Sequence, residues 1–161
     1  MSELTDTLCL QCGMCCNGVL FADVRPEPGD KSPLFTQHGP RVAQPCPAFS
    51  AGDCTCAIYA RRPARCRKFE CGQLLDARAR KITPSAALKK IRAAHKSVAR
   101  VEKLLGALGY NDVALPLKRR FDRCQRAAAA GKLPPAQFAK LAQLQMAMHR
   151  LNLLLAEDFY A

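Results

Sequence analysis

The chain has 161 residues, the length of one ordinary domain or of a small domain with an appended one, so a single modest core is expected. No stretch approaches the ~20 consecutive apolar residues that span a bilayer. The opening MSELTDTLCLQCG carries acids but neither a basic flank nor an apolar run, so no secretory or mitochondrial leader is expected and the protein reads as cytoplasmic. The formal charge of +12 is uneven: residues 1 to 80 hold ten Lys and Arg against eight acids, whereas residues 81 to 161 hold fifteen against five.

Ten cysteines are present, and nine of them fall before residue 72. Residues 1 to 80 therefore read as a loop-rich unit stapled by thiols, and residues 81 to 161 as a basic helical segment packed on it. In chain order the first feature is CLQCGMCC, with Cys9, Cys12, Cys15 and Cys16 inside eight positions. A short strand is expected around GVLFADV, then punctuation at PEPGD, GP, QPCP and AGD, then a second short strand around CAIY. Such pieces bury little apolar surface, which gives the cysteines a structural role as cross-links. The resulting fold class is a small α+β, loop-rich, metal-stabilised cysteine-cluster domain with two short strands, followed by an α-helical hairpin or three-helix segment.

From Thr83 the period changes. Thr83 is a suitable N-cap with Pro84 at the first helical position, and Leu88, Ile91, Val98, Val101, Leu105 and Leu108 recur at helical spacing up to Gly109. A second helix is predicted from about Pro116 to Ala130, with Leu117, Phe121, Cys124 and Ala128 on one stripe and Gly131 as the stop. A third follows Pro134-Pro135 and carries Phe138, Leu141, Leu144, Met148, Leu151 and Leu155. Short connections make these an antiparallel bundle or a wrap around the cysteine-rich unit.

Thiolate is the soft ligand for zinc, cuprous copper and iron–sulfur clusters, and CxxC spacing lets two sulfurs reach one centre from a single turn. Cys9, Cys12 and Cys15 form CxxCxxC, a triad that bacterial ferredoxins also use, and the pair Cys46-Pro47 echoes their remote Cys-Pro. Cys15 and Cys16 are adjacent, so their side chains diverge, and one tetrahedral ion would need a strained turn to take both. This points to two centres rather than one. Two four-thiolate sites holding divalent ions would each carry about −2.

The remaining thiols lie in CPAF and in CAIYARRPARCRKFEC, from Cys56 to Cys71. With CLQCGMCC they resemble the CxxCxxCC family of zinc- or iron-chelating proteins, the YkgJ-type cysteine-cluster proteins, whose pattern runs CxxCGxCC, CPxL, CxIYxxRPxxCRxFxC. The resemblance covers about residues 9 to 71 and implies eight metal-ligating cysteines: Cys9, Cys12, Cys15, Cys16, Cys46, Cys56, Cys66 and Cys71. Ile58, Tyr59, Arg62, Pro63, Arg67 and Phe69 complete the pattern. Phe49 replaces the leucine of CPxL, and Cys54 and Cys124 are additional; Cys54 stands two residues from Cys56 and could take its place. Spacing does not assign the eight to two sets. An iron–sulfur cluster is favoured over zinc, because the CxxCxxC triad is present and long paired zinc-knuckle spacings are not.

Other features have plainer readings. Cys124 falls on an apolar helical stripe and reads as a small buried hydrophobe, Tyr59 as a core aromatic, and His95 as a semi-buried histidine. The run from Arg61 to Lys68 surrounds Cys66 and neutralises anionic thiolates more readily than it binds phosphate. The faces carrying Lys89, Lys90, Arg92, Lys96, Arg100 and Lys103, and Lys118, Arg119, Arg120, Arg123 and Arg126, are solvated surface or a site for a nucleic-acid or acidic protein partner. The leading function is therefore a metal-binding protein with a redox or metal-handling use. A zinc-stabilised nucleic-acid binder is a second reading. A third is implied by the resemblance: the family includes larger proteins that methylate flagellin lysines, hence an S-adenosylmethionine-dependent protein-modifying enzyme. Against it, the chain has no glycine-rich nucleotide fingerprint and no CxxxCxxC, since position 19 is Val19.

Overall fold

The computed structural model describes residues 3–160. Its first half is built of short pieces: α1 (Glu3–Cys9), β1 (Asp23–Val24), α2 (Pro33–His38), β2 (Val42–Ala43), β3 (Phe49–Ser50), β4 (Thr55–Cys56), a 3-10 turn (Tyr59–Arg61), α3 (Ala64–Lys68) and α4 (Gly72–Arg78). The strands form two antiparallel ribbons. Asp23 pairs with Ala43 and Val24 with Val42 in one, and Phe49 pairs with Cys56 and Ser50 with Thr55 in the other.

The strand expected around GVLFADV is reduced to its last two residues. The one expected around CAIY sits earlier, at Thr55–Cys56, because the chain coils into the 3-10 turn straight after Ile58. Between β3 and β4 the Asp53 carboxylate accepts from the Thr55 N–H and hydroxyl, at 3.4 and 2.8 Å, and Cys54 takes a left-handed φ of 54° to close the turn. The four short helices have five to seven residues each, too few for a helical period to register in the sequence. α2 is the exception with a local signal, since the Ser32 hydroxyl accepts from Leu34 N–H, Pro33 occupies the first position, and Gly39 ends it at φ 83°.

The second half follows the predicted pattern closely, as α5 (Pro84–Ala107), α6 (Leu117–Ala129) and α7 (Phe138–Asp158), the last preceded by a 3-10 turn at Pro135–Gln137. The Thr83 hydroxyl accepts from Ala86 N–H at 3.1 Å, and α5 ends where Gly109 turns left-handed at φ 87°. Ala87, Ile91, Ala94, Val98, Val101 and Leu105 of α5 are buried at alternating steps of four and three. That is the seam of a coiled-coil-like pair, and it meets Leu144, Ala147, Met148, Leu151 and Leu155 of α7 in the most extensive helix pairing of the chain. Each fully buried Leu or Ile here contributes about 1.5–3 kcal/mol.

Two positions in α6 have different fates. Cys124 is fully buried, a small apolar side chain in the core. Arg120, which the charge pattern places with the basic face, turns inward instead and pairs with Glu102 at 2.9 Å.

The main core is continuous from Leu8, Met14 and Leu20 through Leu74 to the three long helices. Polar ties stitch the cysteine-rich loops onto it: Leu117 N–H donates to Gly18 O at 3.0 Å, the Gln73 amide to Asp158 O at 2.7 Å, and the Tyr160 hydroxyl to Leu20 O at 2.8 Å. A second, smaller apolar cluster of Val24, Leu34 and Val42, with Phe35 and Ile58 against it, lies under the first ribbon.

Candidate metal centre

The crowded turn begins where α1 stops. Cys12 and Gly13 N–H both donate to Cys9 O, at 3.1 and 3.2 Å, and Cys16 and Asn17 N–H both donate to Gly13 O, at 2.9 and 3.0 Å. Two tight turns in succession thus meet at Gly13, which bends the chain with φ 64°. A β-carbon at Gly13 would stand 2.8 Å from the Phe49 ring and 3.1 Å from the Cys54 sulfur, so this glycine is needed both for its backbone and for its lack of a side chain.

The later cysteines reach this turn from three elements. Cys46 N–H donates to Cys16 O at 2.8 Å, which brings the ribbon β3–β4 alongside, with Cys56 opposite Phe49. Cys66 rides on α3, whose start is held by Ala64 N–H donating to Asp30 at 2.7 Å. Cys71 is the residue before α4, and Gly72 N–H donates to Phe159 O at 3.1 Å, so the end of α7 sets its position. Gly72 cannot carry a side chain there, since a β-carbon would be 2.8 Å from Asp158 O.

Nine of the ten cysteines line one cleft of about 580 Å³, and Cys124 alone lies apart. None of the ten is in a disulfide. Within the cleft they fall into two groups. Cys12, Cys15 and Cys71 rest on the main core, whereas Cys46 and Cys66 rest on the smaller cluster under the first ribbon. The electrostatics divide them the same way. Burial pushes the Cys12 thiol up to about 12, a rise that a backbone hydrogen bond at Met14 opposes and that Cys71, Cys9 and Cys54 increase. Burial also raises Cys15 well above the ordinary thiol value, with Cys12 and Cys71 the strongest neighbours, ahead of Cys16 and Cys9. On the other side burial pushes Cys16 up to about 12, with Cys46, Cys66 and Cys56, and after them Cys9, adding to it. Cys66 is pushed up to about 11 by burial and by Cys46 and Cys56, against the opposing pull of the Arg62 guanidinium. Cys46 is raised by burial and by Cys56.

By their strongest neighbours one group is Cys12, Cys15, Cys54 and Cys71, with Cys9, which also acts on Cys16, and the other is Cys16, Cys46, Cys56 and Cys66. The adjacent pair Cys15-Cys16 is split between them. Cys54, which the spacing offers in place of Cys56, is carried by the tip of its hairpin to Gly13 and acts on Cys12 of the first group.

Among the described residues no three His, Cys, Asp or Glu side chains already stand in the geometry of a metal site. The thiols are gathered, and closing either group on one centre takes side-chain rotation about χ1. The donor chemistry suits such a centre. Thiols buried side by side ionise with difficulty because each thiolate would face the others in a low-dielectric setting, and a soft cation placed among them relieves both penalties. The Arg62 guanidinium opposes the rise at Cys66 and lies 3.8 Å above the Tyr59 ring. Tyr59 is accordingly a half-exposed support for Arg62 rather than a core aromatic. His95 is semi-buried on α5 with its Nε2 unpartnered.

Among the described residues no helix is long and apolar enough to cross a membrane. No curated protein and no solved structure matches the chain. A family profile does match, over residues 8–86, the span that holds every thiol of the cleft and runs to the first turn of α5. What residues 8–86 match is the CxxCxxCC family model, described as "Putative zinc- or iron-chelating domain".

Proposed function

We propose that residues 1–80 hold two thiolate-bound metal centres side by side, with the basic helical segment 81–161 packed against them. Cys16, Cys46, Cys56 and Cys66 supply four thiolates to one. Cys9, Cys12, Cys15 and Cys71 supply four to the other, with Cys54 as an adjoining fifth thiol. The observation that carries this reading is that the strongest neighbours of Cys15 are Cys12 and Cys71, on the main core, whereas those of Cys16 are Cys46 and Cys66, on the smaller cluster.

The first group unites the CxxCxxC triad with one remote cysteine, the ligand supply of a ferredoxin-type cluster, and an iron–sulfur cluster is the occupant we favour there. The second group has four thiols from four separate segments and no CxxC pair, and a closed four-thiolate zinc ion fits it. An iron–sulfur cluster supplies electron transfer when bound. The chain's own contribution is to bury the thiolates, to offset charge with Arg62, and to keep water from the core side through Leu8, Met14 and Leu74. The function is redox or metal handling in the cytoplasm.

Anaerobic purification followed by counting of iron, acid-labile sulfide and zinc tests this directly. A brown protein with visible charge-transfer absorption, iron, sulfide and about one zinc per chain is expected. A colourless protein with two zinc ions would remove the redox reading and leave the two-centre one. A protein that takes up no metal in the reduced state would overturn both.

A further inference from the structure

The solvent side of α5 is the most regular charged surface of the chain. Its buried seam runs through Ala87, Ile91, Ala94, Val98, Val101 and Leu105. On the opposite side Lys89, Arg92, Lys96, Arg100 and Lys103 follow one another at steps of three, four, four and three, all exposed. At 3.6 residues per turn they fall within an arc of about 80° and form one row about 21 Å long. Among the described residues none of the five has a carboxylate within ion-pair reach, although nine pairs occur elsewhere. The nearest cation off the row, Lys90, is taken by Asp158 at 2.6 Å, and the only acid of α5, Glu102, lies to one side and is taken by Arg120. Ala93, Ser97 and Leu104 flank the row on one side and Ala99, Gly106 and Leu88 on the other, and none of them is acidic.

We propose that this row is a docking surface for the phosphate backbone of a double-stranded nucleic acid. A duplex presents one phosphate per ~3.4 Å of its axis on each strand, so a row of about 21 Å laid along a groove spans about six base pairs and meets phosphates of the two strands that border it. A single convex row fits along a groove, where both strands' phosphates reach it. A specific protein partner fits less well, because such interfaces are depleted in Lys at their centre and anchored by aromatic or large apolar groups, and the row has neither. An anionic bilayer is a plane, which a single convex row meets along one line with no apolar side chain to insert. The proposal does not depend on which metal the thiols hold.

The test uses the full-length, metal-replete protein and fluorescence anisotropy with a short DNA duplex and the same sequence as duplex RNA, at a series of salt concentrations. Two variants are compared with the parent: one with Lys89, Arg92, Lys96, Arg100 and Lys103 all changed to Gln, and one with five exposed cations off the row, Lys31, Arg126, Lys132, Lys140 and Arg150, changed likewise. Circular dichroism and metal content, which surface changes of this kind leave in place, show that both are folded. The row variant is expected to bind more than tenfold more weakly, with a log–log salt slope reduced by about five, while the scattered variant keeps most of the affinity. Preference for the DNA or the RNA duplex then identifies the source of the phosphates. Equal losses in the two variants would overturn the proposal by showing only net charge at work. So would tight binding of the parent to phosphatidylserine vesicles that the row variant loses while its duplex binding is unchanged.

Discussion

The sulfur of Cys54 lies 3.1 Å from the point that a β-carbon on Gly13 would occupy, with the Phe49 ring closer still at 2.8 Å. The two residues are distant in sequence, yet the hairpin tip seats on the bare backbone of the first cysteine turn. Gly13→Ala therefore meets a left-handed φ and an occupied space together. The left-handed backbone alone costs about 1–2 kcal/mol, and displacing Phe49 adds to it. A fall in thermal midpoint, together with faster alkylation of Cys54 in the metal-free protein, is the expected result.

Single cysteine variants should separate the two centres. Cys15→Ser is expected to remove the metal of the first group and spare the second, and Cys16→Ser the reverse, read as iron and zinc per chain. Cys54→Ser should leave both metals in place and change only how readily the first is exchanged. If Cys16→Ser loses no metal, Cys16 is a spare thiol and the two-centre division is wrong.

The raised thiols predict opposite pH responses with and without metal. In the metal-free protein Cys12 and Cys16 ionise at about 12, against 9.0 for a free thiol. The folded chain holds protons that the unfolded chain releases, so this contribution is whole below about pH 9 and is lost as pH rises toward 12. Denaturant midpoints of the metal-free protein should fall across that window. Metal binding has to expel the same protons, so metal affinity should drop as pH falls, by up to about tenfold per unit for each thiol displaced. Titration with a competing chelator at several pH values checks the slope.

Arg62 is the cation that opposes the rise at Cys66. Arg62→Met keeps much of the stem and removes the charge. The Cys66 thiol should then ionise at higher pH, seen in the pH profile of its alkylation, and the second centre should release metal to a chelator more readily. An unchanged profile would show that Arg62 serves Tyr59 alone.

The end of α7 steadies the first cysteine turn from behind. Tyr160 donates to Leu20 O at 2.8 Å, and both burial and the nearby Cys15 raise its phenol above its usual range. Tyr160→Phe keeps the ring and removes the hydrogen bond, at a cost of about 0.5–1.5 kcal/mol. A urea midpoint unchanged from the parent would show that the hydroxyl does not hold the turn.

What the sequence determined by itself is local or carried by a motif. Helices α5 and α6 start within one residue of Thr83-Pro84 and Pro116, and α7 starts three residues after Pro135, behind a 3-10 turn, because caps and helical spacing act over a single turn of chain. CLQCGMCC with CAIYARRPARCRKFEC was enough to place the family, and the adjacency of Cys15 and Cys16 already argued against one shared ion. Only the tertiary structure decided which thiols are neighbours. Cys54 joins the turn at Gly13 instead of standing in for Cys56, Cys71 takes its place from Phe159 at the far end of the chain, and Arg120 leaves the basic face for the core. These outcomes depend on long-range hydrogen bonds and on the packing of segments too short to carry a period, and neither leaves a mark in residue spacing.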